Sequence, residues 1–374
     1  MHRALADAAS RSSGRVQRRL LVATALLALL SAIPLGTGAE AAADATPTPP
    51  AASYATPDTP GPPLDVPASQ LDAALSCSAT AASPTRDIIL VLPPTLFDPG
   101  EAYSWNYLPA FAARGWPSCE LTVPDHSDGD IQVAAEYVVN AVRFLHALSG
   151  RQVELFGWSQ GASTLPRWAL RWWPDIRPMV ASLVGLAPDN EHGTTDPLIE
   201  SACAYECFPA AWQETHRLIG GESHFMAAMN SDQQTFPGIA YTDIWSELDE
   251  VAGWNVGSDK VSPLPPAPNV LNVSTQSLCP LQGDEHLTIP AVGVAYAVAM
   301  AALATPGQLP DLAAIDRVTV CPQLLMPYVT PLSLVVHEAQ LVALVSERAT
   351  VGIATSEPPL HCYVTASCGL PPRS

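Results

Sequence analysis

Asp87-Ile-Ile-Leu-Val-Leu92 is an unbroken apolar, β-branched run ended by Pro93-Pro94, which is how a strand buried on both faces reads. Cys119 to Val123 gives a second strand, stopped by Pro124, and further strands are predicted at Gln152 to Phe156, Met179 to Leu186, Gly238 to Trp245 and Asn269 to Val273. Between them the period changes from runs to three- and four-residue steps. Val133, Tyr137, Val138, Val142 and Leu145 lie on one helical face, Asp130 stands where it caps that helix and Gly150 where it stops it, so a helix is predicted over Ile131 to Leu148. Helical stretches are also read at Ala162 to Trp172, Ala291 to Ala304 and Leu332 to Val345. Strands alternating with helices imply an α/β fold with a mostly parallel central sheet covered by helices on both faces. No internal repeat is visible.

The chain has 374 residues, 48% hydrophobic and 14% charged, which excludes a disordered chain and permits a large core. Acidic residues outnumber basic ones by 36 to 17, a surface that repels polyanions and argues against nucleic-acid binding. At the N-terminus, Arg3, Arg11, Arg15, Arg18 and Arg19 precede the apolar run Leu20 to Leu30, and small residues ending in Ala41-Ala42-Ala43 follow. That is the layout of a cleavable secretory signal over residues 1–43, the run being shorter than the ~20 residues of a membrane span. A secreted protein is therefore expected, with no transmembrane segment. Residues 44–70 are Pro, Ala, Thr and Ser with almost no large apolar side chain, and read as an extended, solvated linker. The folded domain is expected over 71–374.

Export makes the eight cysteines candidates for disulfides, and no CxxC pair is present. The separation of Cys77 from Cys119 equals that of Cys279 from Cys321. Bridges closing loops of that length each contribute about 4 kcal/mol on the chain-entropy account.

Candidate chemistry sits at the end of the third strand. Gly157-Trp158-Ser159-Gln160-Gly161 matches G-x-S-x-G between an apolar strand and a helix, where a serine is forced into a strained turn that exposes its hydroxyl above the sheet. A serine hydroxyl needs a base, and the base an orienting acid, which for a serine on such a strand-to-helix turn follow in the order Ser, Asp or Glu, His. His126 and His146 precede Ser159, and His192, His216 and His224 come too early to follow the acid. His286 is the first candidate base, on a loop after the strand at Asn269 to Val273, with His337 and His361 behind it; His337 reads as a surface position on a helix. Asp249 follows the strand at Gly238 to Trp245, while Asp243, Glu247 and Glu250 remain alternatives for the acid.

Gly157 to Gly161, Leu186-Ala-Pro-Asp189, Trp245-Ser-Glu-Leu-Asp-Glu-Val251 and Cys279 to His286 resemble the secreted lipases of the Candida antarctica lipase B type, in the α/β-hydrolase superfamily. Pro197-Leu198, Trp212-Gln213 and both equal cysteine separations extend the likeness over about Leu71 to Cys321. The resemblance implies an α/β-hydrolase fold with a small lid region and a carboxylic ester hydrolase, an esterase or triacylglycerol lipase. It further implies Ser159 as nucleophile, Asp249 as acid and His286 as base, with no metal and no cofactor. Thr95 and Gln160 match the family's oxyanion positions, although Pro94 and Leu96 stand where the family shows glycines. Asp189 matches a carboxyl near the pocket and Trp158 a pocket wall, against a capped turn and a core aromatic as the plainer readings. The excursion between Asp189 and Gly238 is expected to cap the pocket, with Cys203 and Cys207 four residues apart on it. Those two are expected to pair, as are Cys362 and Cys368, with buried thiols or cross-pairing as the alternative. Lipids or small apolar esters at a lipid–water interface are the implied substrates, and a monomer is expected. A cutinase-like, polyester-degrading esterase shares the same catalytic parts, and a non-catalytic secreted binding module shares the fold.

Overall fold

The computed structural model describes residues 54–191, 193–194, 208–217, 223–253, 255–257, 260–348 and 350–366. The described residues within 54–338 and 350–366 form one compact unit, and residues 339–348 fall in a second. The first unit is built on β1 (Leu75–Cys77), β2 (Ile88–Leu92), β3 (Ser118–Leu121), β4 (Val153–Trp158), β5 (Val180–Leu186), the short β6 (Gly193–Thr194) and β7 (His216–Arg217), β8 (Ala240–Trp245) and β9 (Val270–Ser274). Seven of these make one sheet in the order β1-β3-β2-β4-β5-β8-β9, and β6 pairs with β7 alone. Only β1 runs antiparallel to its neighbour; every other pair of the large sheet is parallel.

Every residue of β2, β4, β5 and β8 is buried, because helices cover both faces and leave no polar side for the strands to show. Successive residues divide between two cores. Leu90 and Leu155 share one core with Val138, Val142 and Leu145 of the helix Ile131–Ser149. Phe156, next along β4, turns the other way and meets Tyr103, Tyr107 and Phe111, with Tyr296 of the helix Gly293–Ala304 against Tyr107. Burial of such side chains is worth ~1.5 to 3 kcal/mol each. The helix Ile131–Ser149 begins and ends where its sequence directs: the Asp130 carboxylate accepts the Gln132 N–H at 2.8 Å, and Gly150 closes it at φ 65°.

Two disulfides hold the periphery. Cys77–Cys119 joins directly opposed residues of β1 and β3, and Cys279–Cys321 ties the loop after β9 to the segment beyond the helix Gly293–Ala304; both span 42 residues. Cys362 is also disulfide-bonded, whereas Cys203, Cys207 and Cys368 lie outside the described residues, as do the expected signal over 1–43 and the first part of the expected linker.

The rest of that linker is docked rather than solvated. Tyr54 bridges to Thr365 and a helix already starts at Ala68. Between them the carbonyls of Ala55, Pro57 and Pro62 accept hydrogen bonds from Arg171, Arg177 and Trp173 at 2.7, 2.6 and 2.9 Å. A Pro-rich segment has few N–H groups but a full set of carbonyls, so Arg and Trp donors at the end of the helix Thr164–Trp172 and just beyond it fix the chain, while Tyr54, Ala55, Leu64 and Val66 pack against the core.

Candidate active site

The loops that leave the carboxyl ends of β4, β8 and β9 converge. At the end of β4 the chain turns through Ser159, whose φ of 56° is a left-handed conformation rare for a residue with a Cβ. The turn is tight enough that a Cβ on Gly157 would lie 2.0 Å from the carbonyl oxygen of Gly161, and one on Gly161 would lie 2.6 Å from that of Leu92. Ser159 is half-buried. His286 Nε2 lies 3.1 Å from its Oγ, and His286 Nδ1 lies 2.8 Å from Asp249 Oδ2. The other oxygen of Asp249 accepts the Val251 and Ala252 N–H groups at 3.1 and 2.8 Å, and the carboxylate is fully buried.

None of the other candidates takes these positions. Asp243, within β8, accepts from the Asn190 amide at 2.6 Å, and burial pushes its carboxyl up to about 7. The Glu247 side chain accepts the Ser274 hydroxyl at 3.0 Å. Glu250 accepts the His286 main-chain N–H at 3.4 Å rather than bonding the imidazole. His337 is not a plain surface residue: its ring stacks on Trp105 at 4.5 Å. His361 instead faces Asp130 at 3.7 Å.

Beside Ser159, the Thr95 hydroxyl donates to Gln160 Oε1 at 2.8 Å, and Gln160 is buried. The next residue, Leu96, sits at φ 72°, a conformation glycine adopts without cost and leucine does not. The loop is nonetheless held, because Phe97 stacks on Trp158 at 6.2 Å with the rings 7° from parallel. Trp158 Nε1 in turn donates to the main-chain oxygen of His286 at 3.0 Å.

No family model matches the chain. Lipase B of Pseudozyma antarctica is 31% identical over 256 residues, which is 66% of this chain and 70% of that protein. The chain belongs to the lipase B family. The crystal structure of Aspergillus fumigatus lipase B superposes with a TM-score of 0.73 over 86% of this chain and 78% of that one, at 24% identity, and the fold is that of the α/β-hydrolases.

In this lipase B family member the two pocket candidates are both deeply buried. Trp158 is enclosed between Phe97 and His286. Asp189 accepts from the Ser163 hydroxyl, which in turn accepts the Asp189 N–H at 3.2 Å, and burial lifts the carboxyl to about 6. Burial also pulls the His286 imidazole down, but the adjoining Asp249 carboxylate outweighs it and raises the pKa to about 9. The expected lid disulfide Cys203–Cys207 lies outside the described residues.

One grouping escaped the sequence reading. Ligand atoms of Asp98, Glu101 and His126 lie within 4.8 Å of one another, with His126 Nδ1 3.1 Å from Asp98. Asp98 and Glu101 form the capping box of the helix Pro99–Tyr103, which the spacing D-x-x-E signals; His126 joins them from another loop, so no linear motif records it. Among the described residues no helix is long and apolar enough to cross a membrane.

Proposed function

We propose that this lipase B family protein is a secreted serine hydrolase of carboxylic esters, with lipids or small apolar esters as substrates. The observation that carries the reading is the unbroken chain of contacts from Asp249 through His286 to Ser159, with both links at hydrogen-bond distance. In that reading Asp249 holds the proton on Nδ1, leaving Nε2 to take the Ser159 proton as Oγ attacks the ester carbonyl. The same imidazole returns the proton to the departing alcohol, then activates water against the acyl-enzyme. Charge developing on the carbonyl oxygen meets Thr95 and Gln160, as an oxyanion hole. The Thr95 hydroxyl, which donates to Gln160 Oε1 in the free protein, exchanges that acceptor for the oxyanion. Asp189 and Trp158 are proposed to shape the pocket from behind, through Ser163 and Phe97. Two disulfides and the Arg-rich, apolar N-terminus support export.

A chromogenic ester assay on the parent, Ser159→Ala and His286→Ala tests it. Turnover by the parent and its loss in both variants, with unchanged circular dichroism, is expected. Retained turnover in folded Ser159→Ala would overturn it, and a folded parent with no turnover would favour a binding module on the same fold.

A further inference from the structure

The acid and the base sit on separate loops, after β8 and after β9, and the 2.8 Å contact between Asp249 and His286 needs those loops held at a set separation. Ser246 directly follows β8, three residues before Asp249, and is fully buried. Its hydroxyl donates to the main-chain oxygen of Asp284, two residues before His286, at 2.5 Å, and accepts the Leu248 N–H at 3.1 Å. Gln276, in the short helix Thr275–Leu278 that follows β9, engages both loops with one amide. Its Oε1 accepts the Glu247 N–H at 2.9 Å, and its Nε2 donates to Ser246 Oγ at 2.9 Å and to the Gln282 carbonyl at 3.2 Å. A further, longer contact of 3.4 Å reaches Asp284 Oδ1, whose carboxylate also receives the Thr275 hydroxyl at 2.9 and 3.0 Å.

We infer that Gln276 and Ser246 form a latch between the acid loop and the base loop and are positioning residues for the ester hydrolysis proposed above, on which the inference rests. The amide suits the place because it is neutral and carries an acceptor and two donors on one rigid plane. A glutamate there would lose the donors and set a second carboxylate against Asp284. Met at the same position keeps the length and volume and makes none of the bonds. Neither latch residue touches Ser159 or the imidazole, so the effect passes entirely through the spacing of Asp249 and His286. A misplacement of ~1 Å at a reacting pair costs on the order of 100-fold in rate.

Two readouts on the full-length protein test the latch. With a soluble chromogenic ester, Gln276→Met is expected to lower kcat roughly 10- to 100-fold while KM stays within about twofold. Ser246→Ala, which removes one hydroxyl and fills no new space, is expected to move kcat in the same direction by a smaller factor, and serves if Gln276→Met does not fold. The second readout needs no turnover. The low-field proton resonance of His286 Nδ1–H reports its bond to Asp249, and should shift or broaden in each folded latch variant. If both folded variants melt earlier but keep kcat within twofold and the resonance in place, the residues are merely structural and the inference is overturned. A parent without ester turnover would instead count against the proposed function, and the resonance alone would then decide the latch: a shift supports it, an unmoved signal overturns it.

Discussion

Trp158 reaches across from the strand that delivers Ser159 and donates its indole N–H to the main-chain oxygen of His286, at 3.0 Å. The residue beside Ser159, the proposed nucleophile, therefore pins the loop that carries His286, the proposed base. Trp158→Phe keeps most of the stacking on Phe97 and deletes the donor, leaving a carbonyl in a buried place without its partner. The expected cost is ~1 to 3 kcal/mol of stability, with kcat reduced more than KM is changed. A thermal melt and steady-state kinetics on one soluble ester check both; equal kcat in parent and variant would remove the pin from the mechanism.

Activity and stability are expected to move in opposite directions with pH. His286 must be neutral to accept the Ser159 proton, and although burial draws its pKa down, Asp249 raises it to about 9. The acid limb of kcat/KM should consequently lie above the 6.5 of a free imidazole, and Asp249→Asn should move it down and leave residual turnover. Burial raises Glu154 to about 8 and Asp243 and Glu338 to about 7. A group whose pKa is higher folded than unfolded binds more protons when folded, so its contribution is complete below its unfolded pKa and is lost as pH rises through the folded one. His216, which burial lowers to about 4, has the reverse sign and acts only at lower pH. Between about pH 6.5 and 8 the melting temperature should fall while kcat/KM rises; a melting temperature that climbs across that window would contradict the assignment.

The oxyanion loop yields a separate expectation. Thr95→Val retains the shape of the side chain and removes the hydroxyl that now bonds Gln160 Oε1. Loss of one donor at a developing oxyanion is worth ~3 to 4 kcal/mol, or about 100- to 1,000-fold in kcat. Ground-state binding of the ester should change little. Parallel kcat and KM values for parent and variant make the measurement, and an unchanged kcat would assign the hydroxyl to holding Gln160 alone.

Reduction and metal removal should separate cleanly. Peptide mapping of the unreduced protein should return the Cys77–Cys119 and Cys279–Cys321 links, and reduction should lower the melting temperature, each 42-residue loop being worth about 4 kcal/mol on the chain-entropy account. A strong chelator should leave ester turnover unchanged, because in the proposed mechanism His286, oriented by Asp249, is itself the group that takes the Ser159 proton. Turnover abolished by chelator and restored by a divalent ion would point instead to Asp98, Glu101 and His126.

Local chemistry made much of this molecule legible in its sequence. Short, mostly apolar runs set the strands β2, β3, β4, β5 and β8, because burial on both faces keeps most of their positions apolar. The cap at Asp130, the stop at Gly150 and the glycines around Ser159 were likewise decided by residues within a few positions of one another. Tertiary structure decided what depends on neighbours distant along the chain. Asp243, Glu247, Asp249 and Glu250 are alike in type and close in sequence, and only the path of the loop after β8 brings Asp249 to 2.8 Å from His286. Residues 54–70 have a linker's composition and are docked because Arg171, Trp173 and Arg177 offer donors to their carbonyls. The Gln276 amide, an unremarked polar residue in the sequence, joins two loops because the sheet sets β8 and β9 side by side. Strand and helix formation follows short-range periodicity, whereas hydrogen-bond partners between loops are chosen by the sheet order, which no local pattern encodes.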